Sequence, residues 1–390
     1  MSQTNHPRRT ARLDALLAGL LTARPRPVAQ EVEQAGLWEH VAARAWQTRV
    51  GGLLIDHLRR HGVEPPKSAA RQLDAYREHV RAANAYRIAR VRPILNAFAS
   101  EGVPFLVLKG AALNATLYAD PGLRPMVDID VMIRPRDAER VDRLMVRCGC
   151  SPGLELLRED FYPRFHYERE YLTPHCPPVK IDLHVRPFRP LRYGRTVPED
   201  AMWTGAQTVT VDERRVRIPS AENMLIHLGV HAACHGLREL RWLFDIKAWM
   251  ERFGDRIDWD ELIERCRRWN VDLPMWHALY AVMLTFGEHD STLAHALGGL
   301  ARRRALGDKL ALWQAPFGEK RPVCDVAVNF LCTPGMRFRL EYLKSALLPG
   351  PGHMGQIYRK RHSGWLLTAH AVRIIRGLTR PFVPAAHKAA

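Results

Sequence analysis

Between residues 103 and 185 the spacing of apolar positions switches from strand to helix and back. Val103 to Leu108 form a short apolar run that predicts a buried strand, and Ala111 to Tyr118, after Lys109-Gly110, read as a helix. Val127, Ile129, Val131 and Ile133 then alternate with Asp128, Asp130 and Met132, which predicts a strand with one apolar face set in a core and two carboxylates on the other. The same alternation returns at Val179, Ile181, Leu183 and Val185, with Lys180, Asp182 and His184 opposite.

Helical periodicity dominates on either side. A region rich in alanine, leucine and arginine runs from about Arg9 to Ser100 and is broken at Pro65-Pro66. Pro135 opens a helix that runs to Cys148, and the sheet region continues to about Thr210. Ser220 can cap a helix carrying Glu222 in its first turn, and helices extend to about Leu347, where Leu348-Pro349-Gly350-Pro351-Gly352 makes a break. The expected organisation is a helical N-terminal region (1–100), a sheet-bearing core (101–215), a helical domain (216–347) and a basic amphipathic tail (348–390). In that tail Leu367, Ala371, Ile374, Ile375 and Leu378 share one helical face and Arg373, Arg376 and Arg380 another, after Arg359-Lys360-Arg361. The pattern suits a membrane-surface helix, a partner-docking helix, or one packed on its own domain.

Acidic residues two apart are common here: Glu31 and Glu33, Asp137 and Glu139, Glu168 and Glu170, Asp258 and Asp260, and Glu288 and Asp290 also qualify. Strand context sets Asp128 and Asp130 apart. Two carboxylates about 7 Å apart beside a core repel and are costly to desolvate. Magnesium or manganese, which take oxygen ligands, would offset both effects. Asp182, on a strand about 4.8 Å away if adjacent, can supply a third carboxylate. Two ions about 3.5–4 Å apart would then clamp the attacking and leaving oxygens of an in-line phosphoryl displacement. The competing reading is a solvated face on an edge strand.

Gly110, at a strand-to-helix turn, would let the backbone approach a phosphate whose charge the helix N-terminus favours. Lys109 adds a point charge for that anion or simply ends the strand at the surface. Arg124 either reaches a triphosphate or pins the loop before the acidic strand. His184 reads as a neighbour of Asp182 on the sheet face rather than as a base.

In order, Leu108-Lys109-Gly110-Ala111-Ala112, Tyr118, Leu123-Arg124-Pro125-Met126-Val127-Asp128-Ile129-Asp130-Val131-Met132 and Ile181-Asp182-Leu183-His184 resemble the uncharacterised bacterial nucleotidyltransferase family of the DNA polymerase beta-like superfamily. The resemblance runs from about Pro104 to near Trp269. It implies an α+β fold, a small mixed β-sheet nucleotidyltransferase core flanked by helical N-terminal and C-terminal regions. It also implies two Mg2+ or Mn2+ ions and transfer of a nucleoside monophosphate from a nucleoside triphosphate (NTP), with release of pyrophosphate. The superfamily's glycine motif falls on Gly110, its paired acids on Asp128 and Asp130 and its third acid on Asp182, which on this resemblance would help bind the catalytic ion and draw the proton from the acceptor hydroxyl. Many superfamily members carry a second glycine or a serine where this chain has Ala111, but the lysine-glycine-alanine form is usual in the family resembled. The alternatives are a phosphotransferase using the terminal phosphate and a non-catalytic scaffold or binding protein that keeps the fold.

His227, His231 and His235 recur at four-residue steps on a predicted helix. A zinc-protease pattern fails, because Ala232-Ala233-Cys234 offers no glutamate at the required place; an interior helix with satisfied imidazoles competes with a stripe facing the site. Arg241 and Asp245 lie one turn apart, within a run of arginine, tryptophan and aspartate that the resembled family also shows, and can form a helix pair of about 0.3 kcal/mol.

With 390 residues, 47% of them hydrophobic, the chain can bury a large core in two or three domains. Seven cysteines without paired spacings argue against a disulfide framework; Cys148 and Cys150 read as packing. Met1 to Arg12 is polar and basic, unlike a signal peptide, and no apolar run approaches the roughly 18 residues of a membrane span, so the cytoplasm is the default. The net charge of +17 suits polyanionic partners, triphosphates or nucleic acid, although an arginine-rich genome would produce it too. No aromatic-interleaved basic motif favours nucleic acid as the acceptor. A small molecule, a peptide or protein, or less favourably a nucleic acid all remain open.

Overall fold

The acidic strand is an interior strand of a five-stranded mixed sheet. In the computed structural model, which describes residues 6–118, 120–153, 168–188, 191–212, 214–287, 289–300, 330–331, 335–350, 354 and 368, the strands are β1 (Phe105–Val107), β2 (Asp128–Ile133), β3 (Ser151–Pro152), β4 (Glu168–Leu172) and β5 (Lys180–His184). Their order is β1-β2-β5-β4-β3. β2 pairs antiparallel with β1 and parallel with β5, and β4 runs antiparallel to both β5 and β3. A separate hairpin joins β6 (Gln207–Val211) to β7 (Arg214–Ile218).

Helices flank the sheet in sequence as the periodicity predicts, and the fold is α+β. His6–Leu20, Arg26–Gln34, Trp38–Gln47, Gly51–Arg60 and the long Lys67–Ser100 precede it. Ala221–Cys234, Leu240–Phe253, Trp259–Arg268, Asp272–Phe286, Ser291–Leu300 and Met336–Leu347 follow. Pro66 keeps an extended backbone (ψ 147°) ahead of the long helix, the conformation expected of a residue that cannot continue a preceding one. Ser220 caps Ala221–Cys234, its hydroxyl accepting from the Asn223 amide. The stretch after Pro135 starts as a 3₁₀ turn, Pro135–Asp137, before the helix Ala138–Arg147.

One continuous set of buried apolar side chains runs from Leu16 to Leu300 and includes Ile129, Val131, Ile181 and Leu183. The alternation in β2 is only partly expressed. Val127 is 44% exposed and precedes the strand, while Met132, on the acid side, is 2% exposed. Both faces of β2 are therefore covered, and Lys67–Ser100 and Lys109–Thr116 pack against the strand. Ala221–Cys234, which packs against Leu240–Phe253 and Asp272–Phe286, is buried almost all round.

Cys148, Cys150, Cys176, Cys234 and Cys266 are free thiols. Among the described residues no helix is long and apolar enough to cross a membrane. The basic faces assigned to the tail, from Arg359 to Arg380, lie outside the described residues.

Candidate active site

Parallel pairing of β2 with β5 sets Asp130 directly beside Asp182, and Asp128 beside Lys180. Cross-strand neighbours share a face, so the three aspartates converge. Oxygens of Asp128, Asp130 and Asp182 all lie within 4.8 Å of one another, and no other group of three or more potential metal ligands gathers among the described residues. Asp130 and Asp182 are 2% and 5% exposed, whereas Asp128 is half-buried at the rim. Hard oxygen donors this close, two of them sheltered from water, fit a magnesium or manganese ion.

The neighbouring strand adds acids that sequence reasoning passed over. β4 places Glu170 opposite Asp182 and Glu168 opposite His184. The spacing of Glu168 and Glu170 matches that of the chain's other acidic doublets, yet the short link from Leu172 to Lys180 is the signal that would have made β4 and β5 antiparallel neighbours.

Basic side chains thread this group. Lys109 Nζ donates to Asp130 Oδ1 at 2.6 Å, and His184 Nε2 donates to the same oxygen at 2.8 Å. Lys180 Nζ lies 2.9 Å from Asp182, 3.3 Å from Asp128 and 3.5 Å from Glu170. Burial opposes the charge on Asp130, but Lys109 and His184 outweigh it and hold the carboxyl well below its ordinary range. Asp182 goes the other way: burial pushes it up to about 7, Glu168, Asp130 and Asp128 add to the rise, and the Lys180 hydrogen bond opposes it. Burial likewise disfavours the Lys109 ammonium, and the surrounding carboxylates, Asp130 foremost, more than restore it. The repulsion that the sequence alone assigned to a metal is thus offset at Asp130 by Lys109 and His184, while at Asp182 it persists despite Lys180. The case for a cation rests on the convergence of ligands instead.

At the turn after β1 the left-handed residue is Lys109 (φ 40°), not the glycine. A non-glycine residue in that region stores backbone strain of about 1–3 kcal/mol, and the bond from Nζ to Asp130 helps hold it there. Gly110 is buried inside the helix Lys109–Thr116, and a Cβ on it would stand 2.9 Å from Arg124 Nη1 and 3.0 Å from Met126 Cγ. Its lack of a side chain makes room for Arg124.

Arg124 is 4% exposed and its guanidinium is taken up by Asp245, with Nε 3.0 Å and Nη2 2.9 Å from Oδ2. The Tyr118 hydroxyl donates to Asp245 Oδ1 at 2.8 Å. Asn84, 1% exposed on the long helix, donates to the carbonyls of Pro121 and Arg124 and accepts from the Met126 amide. The loop entering β2 is therefore pinned from two helices, the loop-holding alternative for Arg124. The expected pair of Arg241 with Asp245 is not made: Asp245 turns to Arg124, and Arg241 donates to the Pro125 carbonyl and to Glu239. A buried tertiary partner prevails over a weak pair along one helix. Asn84 carried no sequence signal.

The histidine helix is interior as expected, but its imidazoles are not all satisfied. His227 is 1% exposed, neither ring nitrogen has a hydrogen-bond partner, and its ring stacks on Phe188 with centroids 5.9 Å apart. Burial, reinforced by Lys109, keeps it well below the ordinary histidine range and so neutral. His231 and His235 pack against Trp242.

No curated protein matches the sequence. A solved structure of the antibiotic-resistance factor ANT(2'')-Ia is similar at 15% identity, covering 52% of this chain and 96% of that one with a TM-score of 0.33, a likeness too slight to carry an argument. The family model described as uncharacterised nucleotidyltransferase matches residues 34–287. Every polar site residue named above lies in that span, Asn84 on the long helix and Asp245 included, and the chain belongs to this nucleotidyltransferase family.

Proposed function

We propose that the protein is a metal-dependent nucleotidyltransferase that moves a nucleoside monophosphate from an NTP to an acceptor hydroxyl or phosphate, releasing pyrophosphate. The observation that carries this reading is the meeting of Asp128, Asp130 and Asp182 within 4.8 Å on one sheet face. These three would hold two Mg2+ or Mn2+ ions, which when bound would stabilise charge on the phosphate oxygens of an in-line displacement.

The remaining work belongs to the chain. His184 helps fix the orientation of Asp130 by donating to Oδ1, the oxygen that also accepts from Lys109. The triphosphate is assigned to the start of the helix Lys109–Thr116, which no side chain caps and where the helix dipole and the Lys109 charge favour an anion. Arg124 acts through the loop it anchors, setting where β2 begins. Asp182 is the carboxylate assigned to receive the acceptor's proton as the new oxygen–phosphorus bond forms and the bond to pyrophosphate breaks.

A non-catalytic scaffold with this fold is the second reading, favoured by the ion pairs that Lys109 and Lys180 make with Asp130 and Asp182. Thermal melts with each of the four common NTPs, with and without magnesium, separate the two. A magnesium-dependent rise for the wild type that disappears in Asp128→Asn supports the enzyme. No rise with any triphosphate at high concentration supports the scaffold. For an active protein, release of a nucleoside diphosphate instead of pyrophosphate would reassign it as a phosphotransferase using the terminal phosphate.

A further inference from the structure

The two lysines of the site are built differently. Lys109 is fixed: its backbone is left-handed, its side chain is 15% exposed, and its ammonium hydrogen-bonds Asp130. Lys180 is a rim residue with a side chain 32% exposed, on an ordinary strand. Its single charge is shared among Asp182, Asp128 and Glu170 at 2.9, 3.3 and 3.5 Å. Two of those three carboxylates belong to the set that converges as metal ligands. An ammonium with three donors satisfies such a cluster in the way a cation does.

Oxygens committed to Lys180 are not available to a divalent ion on the same side, and a divalent ion close to Asp128 and Asp182 repels the ammonium. The flexible four-carbon stem and the solvent access at the rim let Lys180 leave without unfolding the strand. Once displaced from Asp128 and Asp182 it remains tethered beside the cluster, where a polyphosphate drawn to the bound ions would offer its charge a second partner besides Glu170.

We propose that Lys180 stands in for a cation in the ion-free protein and becomes a polyphosphate-binding residue when a divalent ion displaces it. This rests on the nucleotidyltransferase reading and adds to it a residue with two successive partners. The consequence is reciprocal: Lys180 weakens binding of the ion alone and strengthens binding of the ion together with the triphosphate.

The test uses full-length protein, Mn2+ titrated by the loss of its free EPR signal, and α,β-methylene-ATP titrated by calorimetry at saturating Mn2+. In Lys180→Met, Mn2+ should bind roughly tenfold tighter, since one nearby positive charge and competitor is gone. The nucleotide should bind at least about fivefold more weakly, as expected for loss of a charged hydrogen bond to phosphate. Lys180→Arg keeps the charge and should stay within about twofold of wild type for Mn2+. Unchanged or weaker Mn2+ binding in Lys180→Met would show that the lysine merely holds the acids together and overturns the proposal. Tighter Mn2+ binding with unaltered nucleotide affinity overturns the second half. Failure of the wild type and Lys180→Met alike to bind Mn2+ would instead remove the metal-dependent reading itself.

Discussion

The guanidinium of Arg124 occupies the space into which a side chain on Gly110 would project, leaving 2.9 Å between Nη1 and the position of a Cβ. Arg124 cannot easily yield, because Asp245 grips it on the other side. Gly110→Ala should therefore destabilise the protein by about 1–3 kcal/mol, as overpacking does, although alanine is the better helix former by about 1 kcal/mol. Chemical denaturation reads the difference. A midpoint equal to or above wild type would mean that the loop before β2 can shift.

Arg124 and Asp245 are both almost wholly buried, so removing one leaves the other charged and unpaired. Asp245→Asn and Arg124→Met should each cost about 3–5 kcal/mol. Tyr118→Phe, which loses one hydrogen bond to the same carboxylate, should cost about 1 kcal/mol. Equal losses in all three variants, measured by urea unfolding, would contradict a cluster centred on the ion pair.

Asp128 and Asp130 will not behave alike when replaced. Asp128 is at the rim with its side chain 30% exposed, and Asp128→Asn should abolish magnesium-dependent stabilisation by triphosphate at little cost to the fold. Asp130→Asn strands the buried Lys109 ammonium and should lose about 3 kcal/mol even without metal. Comparing both variants in EDTA checks this; equal ion-free stability would mean that Lys109 finds another partner.

Acid sensitivity should arise partly far from the site. His57 is 5% exposed and burial lowers its pKa to about 4, against a hydrogen bond to the Thr22 carbonyl that favours the charged ring. The unfolded chain, with an ordinary value of about 6.5, then binds a proton that the folded chain refuses. Stability is complete above about pH 6.5 and declines as pH falls towards 4, by up to roughly 3 kcal/mol from this residue. His57→Gln should flatten the pH dependence of the denaturation midpoint between those limits. An unaltered slope would assign the effect to other groups.

Much of the sheet was legible because strand alternation is a local property. Asp128, Asp130 and Asp182 stood out against apolar neighbours of period two, and the motif order around them carried the family resemblance. What escaped was set by contacts between distant segments. Glu168 and Glu170 looked like any acidic doublet until β4 lay against β5. Asn84 is one polar residue on a long helix, and only the loop folded over it shows that it fills three hydrogen-bonding roles. The Arg241–Asp245 pair was inferred from spacing along one helix, a weak local term that Arg124 overrides. Gly110 stood out at the strand-to-helix turn, but the packing of Arg124 against it and the left-handed backbone of Lys109 appear only in the folded chain.

Parallel neighbours such as β2 and β5 cannot be joined by a tight turn; the intervening chain, including Ala138–Arg147 and β4, has to be laid down elsewhere before they meet. Such non-local closure is slow relative to hairpin or helix formation. During synthesis, a nascent chain ending between the two strands would own a pair of acids and no coordination sphere. Cation affinity should thus emerge in one step with assembly of the central sheet, making it a sensitive reporter of when this molecule has finished folding.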